Sequence, residues 1–303
     1  MAQAAKFIAK VYDRTGATYK TTIDADTIIS LPRISREVSK AASEVTLALA
    51  KPWNDFGFPL LLSEGFLVKL YAVNSAHPTG ILVYQGFITQ IKTKLSGSPE
   101  ITLYPLESIL GNAFWKSGGG ETIGDYTVVY AAADVDTMFS NAITNANSVH
   151  GSYFTADLDN PAASLTVNFV ENTHAQAMQT AIGFLDDTWY WRTRPDGTIQ
   201  LKQFNEVTPT HTFVLGRDVA ELEATRTIVN VKNGIRVQYT GPAYSFYSDA
   251  TSQTNYGKRQ TKLSNSNIQN IASANALGNA QIASLKDPRT NVVITINAQY
   301  DLE

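Results

Sequence analysis

The chain has 303 residues, a formal net charge of −3 and only 17% charged residues, enough for one large or two to three ordinary domains with ample core. It contains no cysteine, which excludes disulfides, Cys-ligated zinc, iron–sulfur clusters and a thiol nucleophile together. The mild acidity gives no bulk support for binding nucleic acid or acidic membranes, and no apolar run reaches the roughly 18 residues of a spanning helix. Met1-Ala2-Gln3-Ala4-Ala5-Lys6 has no signal-peptide core, so the expected compartment is the cytoplasm in which the chain is made.

In chain order, the first hundred residues read as strands at 6–12, 18–23, 27–38, 44–50, 66–73, 81–91 and 100–104. β-Branched and aromatic residues are concentrated in Phe66-Leu67-Val68-Lys69-Leu70-Tyr71 and in the run from Ile81 through Ile91, and turn-rich separators divide the segments. Seven short strands at this spacing predict a barrel or sandwich rather than a βαβ sheet. Gly86 inside a strand predicts a bulge or a close backbone approach.

From Pro105 the texture changes. A short helical piece (106–110) and Phe114-Trp115 lead to Ser117-Gly118-Gly119-Gly120, which reads as a flexible connector because no Gly-Lys-Ser/Thr closes it into a phosphate loop. A helix is predicted over 132–146, with Val135, Met138, Phe139, Ala142 and Ile143 on one face, then a strand over 164–170 and a second helix over 173–185 with Thr173 as N-cap. Trp189-Tyr190-Trp191 and Ile199-Gln200-Leu201 flank Pro195-Asp196-Gly197, a hairpin signal in which Pro presets φ and Gly supplies the positive one. A further β region, from Phe213 through Tyr239, precedes the last fifth.

That last fifth carries an uncharged run over 263–285, followed by Asp287-Pro288 and a strand over 291–296. A charge-free helix of this length needs a large partner. At helical spacing Ile268, Ile271, Ala272, Ala276, Ile282, Ala283 and Leu285 share one side, with Ser273, Leu277, Gln281 and Ser284 opposite. Asn275 and Asn279 fall inside the apolar stripe, where an ordinary core helix has Leu or Val, and predict a helix that meets backbone or a neighbouring subunit.

No catalytic constellation emerges. His77, His150, His174 and His211 are far apart and lack metal spacing, and read as ordinary surface or loop histidines. Asp24/Asp26, Asp134/Asp136, Asp157/Asp159 and Asp186/Asp187 are close acidic pairs; solvated turns and helix ends account for them, and the loop-like Asp157-Leu158-Asp159-Asn160 is the best cation candidate. There is no G-x-S-x-G elbow. Trp189 and Trp191 with Arg192 and Arg194 suit either a half-buried strand or an aromatic platform for sugar or single-stranded nucleic acid, and core packing is the preferred reading.

Taken in order, these segments resemble the baseplate hub or tail-tip protein of tailed bacteriophages and of related contractile injection systems. Glu44-Val45-Thr46-Leu47-Ala48-Leu49, Gly65 to Leu70 and Leu82 to Ile88 are similar to that family's first tube-like barrel, and Ile101 to Leu110 to its exit from the barrel. The helix over 173–185, the aromatic strand and Asp196-Gly197-Thr198-Ile199 resemble its middle domain. Ile228 to Val237, Tyr256-Gly257-Lys258-Arg259, the uncharged helix and Asp287-Pro288 look like its second barrel-forming domain.

The resemblance implies a mixed, β-rich α+β fold: a first barrel domain (1–105), an α+β middle domain (106–208) and a second barrel-like domain with the long helix (209–303). It implies a homotrimeric ring with pseudo-six-fold symmetry at the distal end of a tail, a virion protein assembled in the host cytoplasm. Its partners would be the tail tube or distal tail protein, the tape measure protein and distal tip, spike or fibre proteins, with DNA only in transit and no membrane insertion. No enzyme activity, cofactor or metal is expected. Interface residues are expected at Tyr256, Arg259, Ile268, Ile271, Asn275, Asn279 and Ile282. In that family the final strand runs on through a Pro-Gly-Asp turn into strands that close the second barrel, whereas here the sequence ends at Tyr300-Asp301-Leu302-Glu303. The chain is then a fragment, or a partner completes the sheet, or the barrel stays open. The alternative function is a β-rich carbohydrate-binding module using Trp189 and Trp191.

Overall fold

In the computed structural model, which describes residues 6–29, 34, 43–50, 62–74, 77–94, 97–204, 219–240 and 243–296, the alternation in the first third of the chain becomes one antiparallel sheet. It comprises β1 (Lys6–Tyr12), β2 (Tyr19–Ile23), β3 (Val45–Ala48), β4 (Leu67–Val73), β5 (Ile81–Lys94) and β6 (Gly97–Pro105), in the order β2-β1-β4-β5-β6-β3. Inward positions Ala9, Val11, Leu47, Leu70, Tyr84, Ile88, Ile101 and Leu103 are buried and build its core. Among the described residues the sheet stays open, with β2 and β3 as its edges. Of the strand expected at 27–38, Ile28 bridges Leu49, and most of the remainder lies outside the described residues. Gly86 is a close backbone approach, as expected: a Cβ there would meet the Tyr104 carbonyl oxygen at 2.2 Å.

A 3-10 helix (Leu106–Gly111) leads into a second layer. Here β7 (Thr127–Asp134) pairs antiparallel with β9 (Ser164–Val170), and α1 (Val135–His150) packs on α2 (His174–Ile182). Thr173 caps α2 as predicted, in a reciprocal capping box with Gln176. The predicted hairpin is β10 (Trp189–Thr193) and β11 (Thr198–Gln203), turned by Gly197 at φ +88. The short strand β8 (Thr155–Leu158) joins β11 in parallel. Ser117 to Gly120 is not a simple connector. Asp125 closes the segment into a loop, accepting hydrogen bonds from Gly120 N, Thr122 N and Thr122 Oγ1.

The remaining elements are β12 (Val219–Thr227), β13 (Gly234–Gln238), β14 (Tyr244–Ser248), α3 (Ala250–Tyr256), β15 (Gln260–Ser264), α4 (Ile271–Leu285) and β16 (Arg289–Ile296). Strands β14, β13 and β15 form a three-stranded sheet with α4 across one face, while β12 and β16 pair as a two-stranded ribbon. The β residues expected at 213–215 lie outside the described residues.

The uncharged run is therefore not one helix. Its first residues finish β15 and a turn, and α4 starts at Ile271 behind the Asn270 cap, whose side chain accepts from Ser273 N at 2.8 Å. The expected buried stripe is also corrected. Ser273, Ala274, Leu277, Gly278 and Ala280 face inward, whereas Ile271 is 57% exposed and Ala272, Asn275, Asn279 and Ala283 are exposed. The reason is proximity: a Cβ on Gly278 would lie 2.2 Å from the Tyr247 ring, so the face that approaches β14 must be small there, while Ala276, Ile282 and Leu285 pack half-buried at its margins.

One apolar cluster runs continuously from Leu106 and Phe139 through Phe169 and Trp191 to Ile235 and Leu277. Most buried apolar residues after Pro105 thus share one core, which Leu67 of β4 joins, and the rest of the first sheet's buried residues form another.

Candidate functional site

Among the described residues, several of the groups capable of chemistry make structural contacts. His174, at the start of α2, is 0% exposed; its Nε2 lies 2.9 Å from Asn145 Oδ1, and its ring stacks near Trp115. His150, at the end of α1, meets it edge-on at 6.3 Å between centroids. Two histidines distant in sequence are thus neighbours, a contact made by the α1–α2 packing that no spacing rule encodes. Burial pushes His174 down to about 4, aided by the neighbouring His150, and burial with Arg14 also lowers His150. His77 is exposed, and His211 lies outside the described residues.

The favoured cation candidate already holds a cation. Asp157 Oδ1 and Asp159 Oδ1 each lie 2.7 Å from Lys202 Nζ, and Gln200 Nε2 donates to Asp157 Oδ2 at 2.7 Å. The Lys202 ammonium, with the Gln200 amide, holds the Asp157 carboxyl below its ordinary range, and Asp157 and then Asp159 in turn raise Lys202 above its own. Among the described residues no group of three His, Asp or Glu side chains is arranged to hold a metal. The other acidic pairs serve turns, helix starts and ion pairs: Asp26 with Lys6, Asp134 as the residue before α1, and Asp187 with Arg289.

The aromatic platform is core. Trp191 is 5% exposed, packs edge-on against Phe139 and donates its indole N–H to Gln179 Oε1 at 3.2 Å; Trp189 packs half-buried on the same cluster. The sugar-binding alternative has no exposed indole pair to use. A cavity of about 360 Å³ lies between the first sheet and the second layer, lined among others by Arg14, Glu64, Phe87, His150 and Tyr153.

What the molecule leaves uncovered is surface. Of the expected interface residues, Ile271, Asn275 and Asn279 lie together on the exposed side of α4, with Ile282 half-buried; the Tyr247 hydroxyl donates to Asn275 Oδ1. Tyr256 and Arg259 are half-buried, joined by Arg259 Nε donating to the Tyr256 carbonyl at 3.2 Å. Ile268 is set apart from the others. It is 0% exposed and bridges Val167 of β9, inside the chain's own core.

Two further surfaces were not legible as sites in the sequence. The β12–β16 ribbon is exposed along most of its length. Its register puts Leu222, Ala224, Val292 and Ile294 on one face and Glu221, Glu223, Thr225, Asn291 and Val293 on the other. The face of the β14-β13-β15 sheet away from α4 presents Tyr244, Phe246, Arg236 and Lys262. Alternation in Glu221-Leu222-Glu223-Ala224 and Tyr244-Ser245-Phe246 was the available signal.

No family model and no curated protein matches the chain. Solved structures do. A prophage MuSo2 43 kDa tail protein from Shewanella oneidensis is 10% identical with a TM-score of 0.62, covering 95% of this chain and 81% of that one. The tail protein from Neisseria meningitidis MC58 is 13% identical with a TM-score of 0.60, covering 98% and 82%. Prophage tail protein gp18 from Listeria monocytogenes EGD-e is 10% identical with a TM-score of 0.58, covering 95% and 80%. The fold is that of phage tail proteins. At these identities the likeness is one of architecture, and it embraces the first sheet, the second layer and the α4 region together. Among the described residues of this tail-protein fold, no helix is long and apolar enough to cross a membrane.

Proposed function

We propose that the chain is a structural, non-enzymatic virion protein forming the hub at the distal end of a phage tail. The observation that carries this reading is the likeness to three tail proteins over 95% to 98% of the chain. In this reading residues 1–105 and 209–303 form two tube-type barrel domains and 106–208 an inserted domain. Three copies close a pseudo-six-fold ring, and neighbouring copies complete the barrels, which agrees with the open sheet edges and the two-stranded ribbon. The ring joins the tail tube or distal tail protein to the tip, spike or fibre proteins, and encloses the channel for tape measure protein and DNA. It is assembled in the host cytoplasm.

The interface includes Tyr256, Arg259, Ile271, Asn275, Asn279 and Ile282 between copies, with Ile268 holding the α4 region to the second layer. Electron microscopy of the particle that carries the chain tests the reading: a three-fold ring at the tail end is expected, and a chain absent from the tail sinks it. Asn275→Asp with Asn279→Asp should block incorporation while the isolated chain stays folded, because two charges would have to leave water for the contact, a cost that neutral amides avoid.

A further inference from the structure

The ribbon and the outer face of the β14-β13-β15 sheet have complementary chemistry. On the ribbon, Glu221 and Glu223 project from one face of β12, with Val293, 60% exposed, directly beside Glu223. On the sheet, Phe246, Arg236 and Lys262 form one row across β14, β13 and β15. Phe246 is 50% exposed, and the Arg236 guanidinium lies 3.9 Å from the centre of the Tyr244 ring, which fixes its position.

None of Glu221, Glu223, Arg236 and Lys262 has an ion-pair partner among the described residues. The spacings are close. Residues two apart on a strand are about 7 Å apart and residues opposite on neighbouring strands about 5 Å apart, a difference that long side chains absorb.

The geometry points to a head-to-tail contact between copies of this chain, in which the Glu221–Glu223 face of one ribbon docks on the Arg236–Lys262 face of the next copy's sheet. Val293 meets Phe246 at one end of the row, Glu223 faces Arg236 beside it, and Glu221 reaches Lys262. Because the two surfaces differ, the contact is heterologous, the kind that builds a ring when its rotation closes. The inference rests on the ring reading above and names the surfaces that make it.

The chain's lack of cysteine allows a direct test with the full chain. Thr225→Cys and Ser264→Cys flank the two surfaces and leave all four charges in place. Mixed and oxidised, these variants should form a cross-linked pair that neither forms alone, and the doubly substituted chain should form covalently closed rings. In parallel, E221K/E223K and R236E/K262E should each weaken self-association in sedimentation by about tenfold or more, and the fourfold swap should restore it.

Self-association without the cross-link, or without rescue by the swap, overturns this contact and leaves the ring reading standing. A chain that stays monomeric at every concentration and low salt overturns both. Binding of single-stranded DNA to the Arg236–Lys262 face, lost in R236E/K262E while self-association is unchanged, also overturns the contact.

Discussion

Ser273 on α4 grips both backbone groups of Thr166 on β9: its Oγ accepts from Thr166 N at 2.9 Å and donates to Thr166 O at 3.1 Å. A single hydroxyl thus stands in for a strand partner and fastens the α4 region to the second layer. Ser273→Ala leaves an amide and a carbonyl with lost partners in a site where Ser273 itself is 2% exposed, and should cost about 1–3 kcal/mol. Urea unfolding checks it, and an unchanged midpoint would show that water replaces the hydroxyl.

Gly278 lets α4 lie against Tyr247. Gly278→Ala would gain helix propensity of about 1 kcal/mol, but its Cβ would meet three ring atoms of Tyr247 at 2.2 to 2.7 Å. Overpacking of this kind costs about 1–3 kcal/mol and should prevail. Thermal melting should show a lower Tm, and Tyr247→Ala in the same chain should recover part of the loss. A higher Tm for the single variant would refute the close contact between Gly278 and Tyr247.

Acid should destabilise the protein through His174. Its folded pKa of about 4 lies below the ordinary 6.5, so the unfolded chain binds more protons between those values. The stabilisation is complete above about pH 6.5 and is lost as pH falls through 4, about 3 kcal/mol in all. His174→Gln removes the titration. Its urea midpoint should fall less than that of the parent between pH 7 and 4.5, and parallel losses would refute the assignment.

Lys202 holds Asp157 and Asp159 together, and removing it leaves two carboxylates facing one another. Lys202→Met should cost about 1 kcal/mol, a modest figure because the groups are partly solvated. Adding Asp157→Asn should be less harmful in the Met background than in the parent, a coupling that a double-mutant cycle in chemical denaturation reads directly.

Much of the fold is legible where apolar periodicity and turn chemistry agree: the strands of the first sheet, α1, the Thr173 cap and the Asp196-Gly197 turn all follow from local pattern. What escapes is held by polar atoms. The helix α3, Ala-Thr-Ser-Gln-Thr-Asn-Tyr, has no apolar stripe; the Asp249 cap and the buried Asn233 hold it, Asn233 donating from Nδ2 to Ser252 Oγ and to the Gly257 carbonyl. The strand β8 reads as an acidic loop because its role is to bring Asp157 next to Lys202. The buried face of α4 is only partly legible because residue volume is a poor mark of burial there: Ser273 and Gly278 are inside for the closeness they permit. The α4 residues of the proposed interface can be named from sequence; the ribbon and the cationic sheet face depend on pairings between β12 and β16 and between β13 and β15, which only tertiary structure supplies.

Leu67 and Val68 are consecutive on β4, both buried, and belong to different cores: Leu67 to the one that contains Phe139 and Trp191, Val68 to that of the first sheet. Close-packed interiors yield little and transmit strain. A strand gripped from both faces cannot slide along its axis without disturbing both cores, so a load applied to the first sheet passes into the helical layer through a register-locked strand. Two cores thus share a single rigid element, and neither can shift along β4 without the other.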